Sequence, residues 1–193
     1  KLDELGLREN TLVVFSSDQG AAPLRDTDAD AAKPNKNGKI KREGSDIDAI
    51  RRNAMGYAGP LFRGGKHTDL EGGVCVPFIA RWPAKVPAGR VDDQSVLSGA
   101  DWLPSLCAIT GIAINAADFD GEDSSKALLG GVHVRTKALF WKTNTERSDP
   151  SLLEGAWKLH GTQRRNSEVT LFNLADDPGE KNNLAEKEPE MLK

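Results

Sequence analysis

Cysteine is scarce in this chain. Only Cys75 and Cys107 occur in 193 residues, and their wide separation excludes a disulfide framework or a cysteine-based metal signature, while leaving the compartment open. Long apolar runs are missing too. No stretch approaches the roughly 20 residues that cross a bilayer, and the N-terminus lacks the basic-then-apolar pattern of a signal peptide. A strong charge of one sign is also lacking: the formal net charge is -3, and no face or run is dominated by Lys and Arg, so no electrostatic footprint for nucleic acid exists. A hydrophobic share of 38% with 28% charged residues then leaves an ordinary soluble chain, long enough for one substantial core or part of a larger one.

The order of patterns suggests an α/β domain followed by a smaller antiparallel one. Leu2 and Leu5 recur at helical spacing before Gly6, and Thr11-Leu12-Val13-Val14-Phe15 is a β-branched and apolar run suited to a strand covered on both faces in a parallel sheet. It stops at Ser16-Ser17-Asp18-Gln19-Gly20. Ligands bind at the carboxyl ends of strands in open α/β sheets, so Asp18 and Gln19 fall where function is built, although Asp and Gly also favour a plain strand-ending turn.

Residues 21–58 break into a long polar loop, partly helical at best. Asp26, Asp28 and Asp30 have the opening spacing of a calcium loop, but Ala31 and Asn37 replace the required glycine and glutamate. A second buried strand is expected over 76–81. After it comes a helix with Asp101 as N-cap, Pro104 in its first turn, Leu103, Leu106 and Cys107 on one face and Gly111 at its end. Short aromatic-containing strands follow around Leu139-Phe140-Trp141, Trp157-Lys158-Leu159 and Leu171-Phe172-Asn173, with Asp177-Pro178-Gly179 as a turn and Asn183 as the cap of a terminal helix. His133 and His160 have no partner at ligand spacing and read as structural. Both chain ends lie in mid pattern, which suggests the C-terminal part of a longer protein.

Between the strands lies Gly64-Gly65-Lys66-His67-Thr68-Asp69-Leu70-Glu71-Gly72-Gly73-Val74-Cys75-Val76-Pro77. Two glycine pairs bracket one lysine, so the backbone can take positive φ and approach a ligand while an ammonium is presented to it, as an oxyanion site requires. A solvated lysine on a glycine-rich loop would look the same in isolation. Three segments together resemble the sulfatases of the alkaline phosphatase superfamily: the strand end at Asp18, similar to the family's SDNG; Lys66 through Glu71-Gly72-Gly73 to Val76-Pro77; and Asp177 to Ala185, similar to its DPGExxNLA tail.

The chain departs from the family at Gln19, where asparagine is usual. Leu153-Glu154-Gly155 leads to Ala156-Trp157 without the family's usual arginine. Cys75-Val76-Pro77 is not the formylglycine signal, because Ile79 replaces its arginine, and Cys75 is expected to be a small buried residue.

The resemblance implies part of an alkaline-phosphatase-like α/β sheet covered by helices over residues 1–135, then a C-terminal antiparallel subdomain with a terminal helix over 136–193. It implies hydrolysis of a sulfate monoester of a carbohydrate or aryl sulfate. Lys66 would bind the sulfate and assist the leaving oxygen, His67 would contact substrate, and Asp18 and Gln19 would hold Ca2+ or Mg2+. The formylglycine nucleophile is expected in an N-terminal half outside this chain, so the chain alone is expected to be inactive. A sulfated small molecule or polysaccharide is the expected partner, with no nucleic acid and no membrane span, and the family suggests a periplasmic or secreted location. The rival readings are a phosphomonoester or phosphonate hydrolase of the same superfamily and a noncatalytic remnant. Oligomeric state and the particular ester are not encoded in these motifs.

Overall fold

The computed structural model describes residues 1–20, 61–66, 68–142, 149–162 and 168–192. The predicted 21–58 loop, with Asp26, Asp28 and Asp30, lies outside the described residues, and so does His67. The regular elements in chain order are β1 (Val13–Ser16), α1 (Glu71–Val74), β2 (Phe78–Arg81), α2 (Trp102–Thr110), α3 (Ser125–Leu128), β3 (Leu139–Trp141), β4 (Ser151–Glu154), β5 (Trp157–His160) and β6 (Thr170–Asn173). Among the described residues they form a two-stranded sheet, β1-β2, and a four-stranded sheet in the order β3-β4-β5-β6. Contacts divide the chain into two compact units: Lys1–Ser16 with Pro77–Phe140 and Leu152–Gly155, and Ser17–Val76 with Trp141–Ser151 and Ala156–Lys193.

In the first unit β1 and β2 pair antiparallel, with Val13 opposite Arg81 and Phe15 opposite Ile79. The expected parallel, doubly covered strands are therefore corrected. Phe15 is 62% and Ile79 60% exposed, because a two-stranded ribbon has no layer of its own to cover both faces. The N-terminal Leu2–Leu5 pattern forms turns, not a helix, and Gly6 closes them at φ +68.

Helix α2 ends as its sequence suggests, at Gly111 with φ +77, where a left-handed C-cap suits glycine. Its start differs. Ser98 and Asp101 form a capping box around the preceding 3-10 turn: Ser98 N–H donates to Asp101 Oδ2 at 2.7 Å, and Ala100 N–H donates to Ser98 Oγ at 3.4 Å. Asp101 itself is helical in backbone, and its side chain makes no capping hydrogen bond to α2. The buried face carries Pro104, Ser105 and Cys107, while Leu103 and Leu106 are exposed.

A charged cluster ties the chain after α2 back to its start. Asp101 Oδ1 accepts from Glu122 N–H at 3.0 Å and Asp101 Oδ2 pairs with Arg135. Glu122 accepts from Thr136 Oγ1 at 2.7 Å, from the Lys137 amide at 3.1 Å, and lies 2.7 Å from His133 Nε2. Burial pushes the Glu122 carboxyl up, but the hydrogen bonds from Thr136, His133 and the backbone outweigh it and hold the group down at about 2.

In the second unit β5 and β6 are antiparallel, with Lys158 opposite Phe172 and Leu159 opposite Leu171. Leu171 and Phe172 are buried there. Asn183 caps a turn and a strand edge together, since its Oδ1 accepts from Ala185 N–H and from Leu171 N–H, each at 3.0 Å. The terminal helix is a short 3-10 segment, Pro189–Leu192.

Candidate active site

The turn that leaves β1 is held by its own side chains and by a distant pair of glycines. Ser17 Oγ donates to the Gln19 carbonyl at 2.7 Å, and Gly20 N–H donates to the Gly73 carbonyl at 2.8 Å. A Cβ at Gly20 would lie 1.8 Å from the Gly72 carbonyl oxygen, so only glycine permits this approach. Asp18 and Gln19 are exposed on the turn.

The lysine loop is fastened to the same two residues. Gly72 N–H donates to the Arg63 carbonyl at 2.7 Å, and Thr68 closes the loop by donating from Oγ1 to the Gly65 carbonyl at 2.7 Å. Cβ atoms at Gly72 and Gly73 would stand 2.6 Å from the Arg63 carbonyl oxygen and 2.1 Å from that of Thr68. The second glycine pair thus serves the segment's approach to itself, and among the described residues of the loop only Gly64 takes positive φ, at +81. Lys66 is half-buried on this loop. Among the described residues, neither the Asp18 carboxylate nor the Lys66 ammonium has a hydrogen-bond or ion-pair partner.

Beneath the loop runs an ionic chain that sequence reasoning missed. Glu71, the first residue of α1, is buried, and its Oε1 accepts from Lys158 Nζ at 2.5 Å. Lys158 and Glu180 are both 0% exposed, and Lys158 Nζ is 3.5 Å from Glu180 Oε1. Glu180 Oε2 accepts from Glu71 N–H at 2.7 Å, its Oε1 is 2.9 Å from His160 Nε2, and its carbonyl accepts from Arg63 Nη1 at 3.0 Å. Every buried charge in this set is therefore paired or hydrogen-bonded, as its survival in a low-dielectric interior requires. Burial pushes the nearby Asp69 carboxyl up, with the positive fields of His160 and Lys158 opposing it.

His160 Nδ1 is also 2.7 Å from Ser151 Oγ, so Ser151, His160 and Glu180 line up in the manner of a hydrolase triad. Ser151 is 1% exposed, and no substrate carbonyl reaches its oxygen; the series is a buried relay that fixes the imidazole. His133 is likewise held by Glu122. Cys75, expected to be buried, is exposed; it follows the last residue of α1 with an extended backbone.

Among the described residues no group of three or more His, Cys, Asp or Glu side chains is arranged to hold a metal ion. Asp18 and Gln19 offer two hard oxygen donors without a protein partner, which fits part of a calcium or magnesium shell, since such ions take about six to eight oxygens or near-octahedral water-rich sets. No described helix is long and apolar enough to cross a membrane.

Two loops are thus pinned to one glycine pair, one carrying a carboxylate and an amide and the other an ammonium. The sulfatase family model matches residues 1–112, and the chain belongs to the sulfatase family. An N-acetylgalactosamine-6-O-sulfatase of Bacteroides thetaiotaomicron is 30% identical over 100% of this chain and 36% of its own length. Human arylsulfatase A is 29% identical over 95% of this chain and 35% of its own. A solved structure described under metabolism of multiple glycosaminoglycans by B. thetaiotaomicron superposes with a TM-score of 0.69 at 25% identity, covering 99% of this chain and 38% of that one. The fold is accordingly the alkaline-phosphatase-like α/β fold of the sulfatases. The chain spans about a third of the length of these curated relatives.

Proposed function

We propose that this chain is part of a sulfuric ester hydrolase that cleaves a sulfate monoester of a carbohydrate or an aryl sulfate. The observation that carries the reading is the common anchorage of the Asp18-Gln19 turn and the Lys66 loop on Gly72 and Gly73. It keeps a carboxylate and an ammonium, each without a partner among the described residues, on two loops of one unit. The names of the relatives, an N-acetylgalactosamine-6-O-sulfatase and an arylsulfatase, support the substrate class.

In this reading Lys66 makes a charge-assisted contact to an oxygen of the transferring sulfuryl group and stabilises the charge that builds on the departing oxygen. Asp18 and Gln19 supply oxygen ligands to a divalent cation, with calcium the first expectation and magnesium the alternative. Such a cation, when bound, neutralises negative charge on the ester's non-bridging oxygens. The nucleophile, a formylglycine by family membership, belongs to the part of the complete protein outside this chain. His67 follows Lys66 directly and is assigned a substrate contact by adjacency alone.

The test uses the complete protein with a chromogenic aryl sulfate and the matching aryl phosphate. Sulfate hydrolysis that falls by roughly 10²-fold in kcat/KM in Lys66→Ala, equivalent to about 3 kcal/mol, supports the reading. Preference for the phosphate ester would replace it with the phosphohydrolase reading, and inactivity on both would leave a noncatalytic protein.

A further inference from the structure

We propose that Lys158 and Glu180 are positioning residues for the Lys66 loop, acting through Glu71; this deepens the sulfatase reading and rests on it. Neither residue belongs to the two loops assigned to the ester. Lys158 sits on β5 opposite Phe172, with its ammonium 5.6 Å from the Trp141 ring centroid. Glu180 takes φ 50, an uncommon conformation for a residue with a side chain, and its backbone N–H donates to the Asp177 carbonyl at 3.0 Å.

Two bonds of this set end on the loop's own backbone or its flank. Glu180 Oε2 takes the Glu71 N–H, at the first residue of a helix only four residues long, and the Glu180 carbonyl takes the Arg63 guanidinium immediately before Gly64. Lys158 fixes the Glu71 side chain from below. The loop from Gly64 to Leu70 is thus gripped at both ends by one enclosed set of charges, leaving few ways for the Lys66 backbone to drift. Displacement of a reacting group by about 1 Å costs on the order of 10²-fold in rate, so such a grip is worth more to catalysis than to substrate affinity.

A double-mutant cycle in the complete protein tests the proposal, with kcat and KM for an aryl sulfate normalised to folded enzyme. Lys158→Met is expected to lower kcat by roughly 10-fold or more with KM changed by less than about 3-fold, and Lys158→Arg to restore much of the loss. In the Lys66→Ala background the same Lys158→Met change is expected to cost little further rate, because the group it positions is gone. Losses that simply multiply, or a Lys158→Met enzyme with native kcat, overturn the positioning role while leaving the sulfatase reading intact. A native Lys66→Ala enzyme or an inactive parent overturns that reading, and this inference with it. If Lys158→Met does not fold, Glu180→Gln, nearly the same size, takes its place; failure of both to fold marks the set as purely stabilising and also overturns the proposal.

Discussion

Lys158 Nζ stands 2.5 Å from Glu71 Oε1 although the two residues are 87 positions apart, and the lysine has no exposure to solvent. Removing Glu71 leaves the buried ammonium with only its longer, 3.5 Å contact to Glu180. Glu71→Ala is expected to lower the unfolding free energy by about 3–5 kcal/mol, and Glu71→Leu with Lys158→Met to recover part of that, since a pair of apolar side chains needs no counter-charge. Denaturant titration of the two variants measures the difference. Equal stability in Glu71→Ala and the parent would show the pair to be energetically idle.

The glycines that pin the two loops admit a sharper test. A methyl group at Gly20 would meet the Gly72 carbonyl oxygen at 1.8 Å and one at Gly73 the Thr68 carbonyl oxygen at 2.1 Å, whereas Gly99 has nothing within 4 Å of its own. Gly20→Ala and Gly73→Ala should each cost about 1–3 kcal/mol through forced backbone shifts. Gly99→Ala should fall within about 0.5 kcal/mol of the parent. Thermal melts of the three variants check the ranking.

Glu122 makes stability depend on acid. Its folded-state carboxyl is lowered from 4.5 to about 2, so its contribution is fully present above the unfolded value and disappears as pH falls through the folded one. The stabilisation at stake is about 3 kcal/mol. Glu122→Gln should flatten the stability profile between pH 4.5 and 2 and lower stability at neutral pH. Equilibrium unfolding across that range decides it, and a parallel profile for parent and variant would remove Glu122 as the source.

Much of this architecture is legible in the sequence where one segment explains itself. The abrupt end of an apolar run at Ser16, the glycine that stops α2 at position 111, and the Glu71-Gly72-Gly73 motif all act through neighbours or their own backbone. Long-range pairing is not legible in that way. Glu180 hydrogen-bonds a backbone amide 109 residues away, and in sequence Lys158 and Glu180 look like any solvated charge. Lys158, between Trp157 and Leu159, carries the one local hint of burial; Glu180 stands between Gly179 and Lys181-Asn182 and carries none. Asp101 misled for a local reason: Ser98 lay three residues earlier and completed the capping box with it.

The cation reading turns on the β1 turn. Asp18→Ala should abolish both calcium binding and activity in the complete protein, because the carboxylate is the only charged donor assigned there. Gln19→Asn keeps a carbonyl ligand on a shorter arm and should preserve both. Calorimetric titration with calcium, run beside the aryl sulfate assay, separates the two variants. Unchanged calcium affinity in Asp18→Ala would reduce the turn to a strand end.

Gly20 and Arg63, which flank the long stretch between β1 and the lysine loop, are each hydrogen-bonded to one member of the Gly72-Gly73 pair. The two loops therefore share one anchor, and a change at Gly72 or Gly73 would shift the Asp18 turn and the Lys66 loop together.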